Sequence, residues 1–195
     1  MAETPTDERR VLTAAMDRYA DGDVAAFGEI YDRLAPRLCG FFVRQTGSQA
    51  QAEDLVQQTL LQMHAAREVF VRGSDVLPWA FSIGRRLLVD SRRRTKKEVL
   101  FETGAEDVAA LDSRVERYEL PDDLASTREL AERARAELAR MPASHRDAYI
   151  LVRQEGLSIV AAAEVLGTTS AAVKLRAHRA YEALRAALAS DGGRE

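Results

Sequence analysis

Seven cations, Arg85, Arg86, Arg92, Arg93, Arg94, Lys96 and Lys97, stand between positions 85 and 97 with a single acid, Asp90, among them. Such a run has one obvious chemistry, the pairing of guanidinium and ammonium groups with phosphates. Just upstream lie an irregular stretch, Arg72-Gly73-Ser74-Asp75, and the lone tryptophan, Trp79. A basic helix beside such a loop suits a separated nucleic-acid strand: the cations hold its phosphates and the loop takes an unstacked base. The plain alternatives are a solvated helix end for the arginines and a core anchor for Trp79.

A second set lies near the C-terminus. Steps of 100° per residue put Val173, Ala177, Ala180, Leu184 and Leu188 on one side of a helix starting near Ser170. Ala171, Leu175, His178, Arg179 and Glu182 lie opposite, flanked by Lys174 and Arg176. Lys174, His178 and Arg179 have the reach to touch a DNA backbone, while Ala171 and Leu175 suit thymine methyls or sugars. Few long donors point straight out, which favours reading of phosphates and groove shape over many bidentate base contacts. The alternative is the solvated face of an amphipathic helix.

Other chemistries find no residues. There is no glycine-rich phosphate loop and no HExxH, and His64, His145 and His178 fall in separate elements, so no enzyme is expected. Ser144 and His145 are neighbours in sequence and do not face one another on a helix. Cys39 is the only cysteine, which excludes an internal disulfide and a CxxC-type zinc cluster. No metal or cofactor is predicted. The N-terminus lacks the apolar core of a signal peptide and no run is apolar enough for a membrane span, so a cytoplasmic protein without membrane insertion is expected.

The elements that must carry these residues read as helices. Across 195 residues, aromatics reach only 6% and five prolines and eleven glycines interrupt the chain. That composition predicts an all-α fold. Thr4-Pro5-Thr6-Asp7 starts a first helix with Val11, Leu12, Ala15, Met16 and Tyr19 inward, and Asp21-Gly22-Asp23 stops it and caps a second, with Ala26, Phe27, Ile30, Tyr31 and Leu34 inward. Pro36 predicts a restart, Gly47 a stop, and Ser48 a cap on a longer helix. That helix turns Ala52, Leu55, Val56, Thr59, Leu60 and Met63 inward and Gln51, Asp54, Gln57, Gln58 and Gln62 outward. The arginine-bearing helix starts near Pro78.

From Glu98 to Asp123 nine acids stand against Arg114 and Arg117, reversing the sign of the preceding run. No apolar period is sustained there, so positions 98–123 read as a flexible acidic linker between two small helical domains, 1–97 and 124–195. In the second, Leu130, Ala134 and Leu138 face inward on a helix closed by Met141-Pro142, and another helix runs from Ala143 to about Gln154. Ser158 then caps a short helix to Leu166, and Gly167-Thr168-Thr169 turns into the last one, a helix-turn-helix. The net charge of −3 argues against bulk coating of nucleic acid.

Three motifs carry a family resemblance. Ala52-Glu53-Asp54-Leu55-Val56-Gln57-Gln58-Thr59 is the first, the run from Pro78-Trp79-Ala80 through Gly84-Arg85-Arg86 to Asp90 with the following arginines is the second. The third combines Leu138-Ala139-Arg140-Met141-Pro142, Glu155-Gly156-Leu157-Ser158 and Val173 to Ala180. In this order and spacing the chain resembles a bacterial extracytoplasmic-function (ECF) sigma factor, group IV of the sigma-70 family. The resemblance implies that Asp54, Gln57, Gln58 and Gln62 face the clamp of core RNA polymerase. It implies a −10 element read by Arg72, Ser74, Asp75, Trp79, Arg85, Arg86, Arg92 and Arg93, the loop taking a flipped base. It implies a −35 duplex docked on Ser170, Ala171, Lys174, Leu175, Arg176, His178 and Arg179. Promoter DNA, core polymerase and an anti-sigma factor are the implied partners, and the acidic linker suits a positively charged path in the polymerase. Two competing readings are a stand-alone helix-turn-helix regulator, which binds DNA tightly without polymerase, and a helical adaptor that binds proteins only.

Overall fold

The computed structural model describes residues 5–103 and 125–189, all of its regular elements being helical. The chain divides into two units between Val115 and Glu116, inside the acidic connector, of which residues 104–124 lie outside the described residues.

The first unit holds α1 (Pro5–Ala20), α2 (Ala26–Thr46), α3 (Gln49–Ala65), a 3-10 turn (Arg67–Val69) and α4 (Val76–Thr103). Local chemistry sets the boundaries. Asp23 accepts from the Ala25 N–H at 3.1 Å before α2, and Ser48 accepts from the Gln51 N–H at 3.4 Å to start α3. Every residue of α3 expected inward is buried. At the centre of an otherwise aliphatic core, Phe41 packs edge-on against Phe42 and Phe81, with centroids 5.6 and 5.4 Å away. Each such fully buried ring contributes about 1.5–3 kcal/mol.

Three expectations are corrected. The helix does not restart at Pro36, which sits inside α2. Pro36 is exposed, and burial of Leu34, Leu38, Phe41 and Phe42 along the opposite side outweighs the one backbone bond it removes. Tyr31, read as inward, is half exposed, resting its ring near Phe27 at 6.5 Å and leaving its hydroxyl end in water. At the other end, α4 begins at Val76, two residues before the start expected near Pro78, and runs to Thr103. Asp75 caps it by accepting from the Leu77 N–H at 3.1 Å, so Pro78 falls in the first turn, where its missing N–H costs little.

The second unit holds α5 (Ala125–Arg140), α6 (Ala143–Tyr149), a π turn (Ile150–Gln154), α7 (Ile159–Leu166) and α8 (Ser170–Ala189). The segment predicted as one helix from Ala143 to Gln154 thus widens after Tyr149, closing with the Glu155 N–H on the Ile150 carbonyl at 2.9 Å and the Leu157 N–H on Leu151 at 2.8 Å. Leu138 and Met141 of α5 and its following turn pack on Ala180 and Leu184 of α8. Leu130, expected inward, is exposed because it lies two turns before that contact. Buried Arg146 donates to the carbonyls of Leu138 and Ala139 at 3.4 Å, supplying partners for the last turn of α5.

Candidate nucleic-acid interface

On α4, Arg85 and Arg92 are seven residues apart, as are Arg86 and Arg93, so each pair lies along one stripe of the helix. Arg86, Arg93 and Arg94 are exposed, and Arg85 is half-buried with its Nε shielded from solvent. Arg92 is exposed but committed, donating from Nη2 to the Gln45 carbonyl at 2.7 Å and to Gln45 Oε1 at 3.2 Å. It thereby ties α4 to the end of α2. Between the two stripes the helix presents cations that are available to phosphates and one that holds the scaffold.

The preceding loop is built the same way. Every nitrogen of the Arg72 guanidinium is engaged: Nε on Asp21 Oδ1 at 2.9 Å, Nη1 on the Phe70 carbonyl at 2.8 Å and Nη2 on the Ala20 carbonyl at 2.8 Å. Asp75 forms an ion pair with Arg9 at 3.3 Å besides capping α4. Ser74 donates to the Val71 carbonyl at 2.6 Å, and Gly73, at φ +75°, turns its N–H onto the Asp17 carboxylate at 3.0 and 3.2 Å. Trp79 is half-buried against Phe70, with ring centroids 5.0 Å apart, which is the anchoring arrangement. The structure therefore gathers Arg72, Ser74, Asp75 and Trp79 at one loop and makes three of the four its supports.

On α3, Asp54, Gln57, Gln58 and Gln62 are all exposed, together with Leu61, 66% exposed. Leu61 escaped the sequence reading although the Leu60-Leu61 doublet carries the signal. Leu60 is the last residue of the buried arc that Leu55, Val56 and Thr59 share, and a further 100° carries Leu61 out of it. The loop's partners Arg9, Asp17 and Asp21 were also missed, and nothing local to them announces the role.

In the second unit, Ser158 accepts from the Ala161 N–H at 3.1 Å to start α7, and Gly167 ends it in a left-handed conformation. Thr169 Oγ1 accepts from the Ala172 N–H at 3.2 Å and starts α8. Val173, Ala177, Ala180 and Leu184 are buried, and Leu188 is half-buried. That rotation leaves Ser170, Ala171, Lys174, Leu175, His178 and Arg179 exposed and Arg176 half-buried at the edge of the same face. The arrangement presents three cations, Lys174, Arg176 and Arg179, around small and apolar side chains.

Among the described residues, no group of His, Cys, Asp and Glu could hold a metal ion and no helix is long and apolar enough to cross a membrane. Exposed His64 shares a hydrogen bond of 2.5 Å between its Nδ1 and the Tyr19 hydroxyl.

Residues 30–98 match the family model of Sigma-70 region 2, and residues 131–184 match that of Sigma-70, region 4. RNA polymerase sigma factor CarQ of Myxococcus xanthus is 34% identical over 170 residues, covering 87% of this chain and 93% of its own. ECF RNA polymerase sigma factor SigF of Caulobacter vibrioides is 34% identical over 180 residues, covering 92% and 94%. Among solved structures, the sigma factor RpoE in complex with the anti-sigma factor NepR from Bartonella quintana is similar at a TM-score of 0.67 and 28% identity, covering 86% of this chain and 99% of that one.

Proposed function

Because this chain belongs to the ECF RNA polymerase sigma factors of the sigma-70 family, we propose a division of its residues among the tasks of promoter recognition. As a sigma factor it binds core RNA polymerase and directs transcription initiation at promoter DNA; it is an initiation factor that acts in the cytoplasm, where the polymerase works. The exposed face of α3, with Asp54, Gln57, Gln58, Leu61 and Gln62, docks on the polymerase clamp. Arg86 and Arg93, with Arg85 beside them, hold the phosphates of the opened −10 strand, and the loop around Ser74 takes an unstacked base. Arg72, Asp75, Trp79 and Arg92 support that surface instead of touching DNA. Ser170, Ala171, Lys174, Leu175, Arg176, His178 and Arg179 dock the −35 duplex, with phosphates and groove shape dominating the readout.

The observation that carries this reading is two exposed cationic faces, on α4 and on α8, in a chain whose net charge is −3. Neither face is strong enough to bind DNA tightly alone, and polymerase supplies the geometry that lets both engage one promoter. The domain limits 1–97 and 124–195 serve these two tasks, and the acidic segment between them suits a positively charged channel. Release from an anti-sigma factor is the proposed control, in keeping with the complex in which the similar RpoE was solved.

The test is run-off transcription with purified chain and bacterial core polymerase on fragmented genomic DNA. Discrete starts that share paired upstream elements are expected. Tight DNA binding without polymerase, and no new starts, would instead favour the stand-alone regulator.

A further inference from the structure

Helix α1 lies outside the region 2 family match, which begins at residue 30. Yet α1 and the residue just after it supply all of the side chains from another element that are described as holding the loop at 72–75. Asp17 takes the Gly73 N–H at 3.0 Å, Asp21 takes Arg72 Nε at 2.9 Å, the Ala20 carbonyl takes Arg72 Nη2 at 2.8 Å, and Arg9 pairs with Asp75 at 3.3 Å. These contacts span about three turns, from Arg9 to Asp21, while the loop they hold is four residues long. A shallow cavity of about 480 Å³ runs between the two, lined by Arg9, Arg10, Thr13, Asp17, Gly73 and Asp75.

We propose that α1 is the positioning element for −10 base selection, with Asp17 its central residue. This rests on the reading that the loop takes an unstacked −10 base. Selection among bases requires donors and acceptors fixed to within a fraction of an ångström, and a short glycine-containing loop does not fix itself. Its internal bonds, Ser74 to Val71 and Arg72 to Phe70, close the turn, and Asp75 fastens its last residue to the start of α4, but none of these fixes how the Arg72-Gly73 half lies on the helical unit. Asp17 sets that orientation. Its carboxylate holds a backbone N–H of a residue with positive φ, a charge-assisted bond that selects one loop conformer. Asp21 carries out the same task through the guanidinium of Arg72. Neither acid touches DNA in this scheme, in which both act through the loop.

The experiment uses the full chain with core polymerase on a promoter mapped by the run-off assay, made in four versions that differ at one −10 position. The readout is the ratio of output between the preferred and the least preferred base. For Asp17→Asn, which can still accept the Gly73 N–H but forfeits the charge-assisted part of that bond, this ratio is expected to fall by about threefold or more. Polymerase binding and the penalty for altering the −35 element should stay as in the parent. Asp17→Glu, which keeps the charge, should recover part of the ratio, and Asp21→Asn should repeat the loss. If α1 only adds stability, Asp17→Asn will lower the melting temperature and scale the output of all four templates together; an unchanged ratio overturns the proposal. Ser74→Ala is the companion control within the loop. If it alters the ratio and Asp17→Asn does not, the loop reads the base without α1, and if neither does, the loop reading itself fails. In both cases the positioning role is rejected.

Discussion

At Gly84, a methyl group in place of hydrogen would lie 2.6 Å from Cζ of Phe42 and 3.2 Å from the Thr59 hydroxyl. Phe42 is wholly buried against Phe41 and has no room to retreat, so α4 can approach α2 and α3 this closely only with glycine here. Gly84→Ala is expected to lower stability by about 1–3 kcal/mol, overpacking outweighing the better helix propensity of alanine. Thermal unfolding should show the loss, and Phe42→Leu in the same chain should restore much of it; equal melting temperatures for parent and Gly84→Ala would contradict the close approach. On α8 the residues to test are the cations at the edge proposed to face DNA. Arg176→Ala combined with Arg179→Ala is expected to abolish output from a −35-dependent promoter while leaving polymerase binding nearly unchanged, because both lie on the exposed side of a helix whose core is Val173, Ala177 and Ala180. Normal output from the pair would remove these residues from the interface.

At the level of elements, the helices differ in what holds them. α2 keeps Pro36 in its interior although proline there removes a backbone bond, and eight of its residues are nevertheless buried. Replacing this exposed proline by alanine should therefore raise the melting temperature by several degrees, since up to about 3 kcal/mol of helix propensity outweighs the roughly 0.4–1 kcal/mol lost by freeing the unfolded chain. A lower melting temperature for Pro36→Ala would mean that the proline rigidifies α2 to the chain's benefit. α1 buries Leu12, Ala15, Met16 and Tyr19 and is tied at its outer side as well, to the loop by Asp17 and by Asp21 just after it and to α2 by Arg18, which donates to Glu29 at 2.6 Å. That bond holds the Arg18 guanidinium above its ordinary pKa. α4 is both a core element and a surface one, so its arginines divide by position: Arg92 binds the end of α2, while Arg86 and Arg93 are exposed to solvent.

For the whole molecule, the balance of charge sets the expected behaviour in solution. With a net charge of −3, so that the cationic faces of α4 and α8 are offset by acids elsewhere on the chain, the chain alone should bind a promoter fragment at least about a hundredfold more weakly than its complex with core polymerase, and with a steep dependence on salt. Filter binding or fluorescence anisotropy across a salt series checks this; equal affinities with and without polymerase would point to a self-sufficient DNA binder. The helical plan of such a molecule was legible from its residues. Ser48, Ser158, Asp23 and Gly47 mark helix ends through bonds that reach two to four residues, and the α3 and α8 stripes follow from a 3.6-residue repeat, so neither needs knowledge of a distant partner. The family motifs were legible for the same reason, being short runs of residue types. What only the tertiary structure decided is which charged groups remain available. Arg72 and Arg92 look like their neighbours in the sequence, yet their partners lie 51 and 47 residues away, and the Asp17 carboxylate meets Gly73 across 56. Contacts at such separations depend on how helices pack, which is set by the fit of buried side chains such as Phe42 against Gly84 and leaves no periodic mark on the chain.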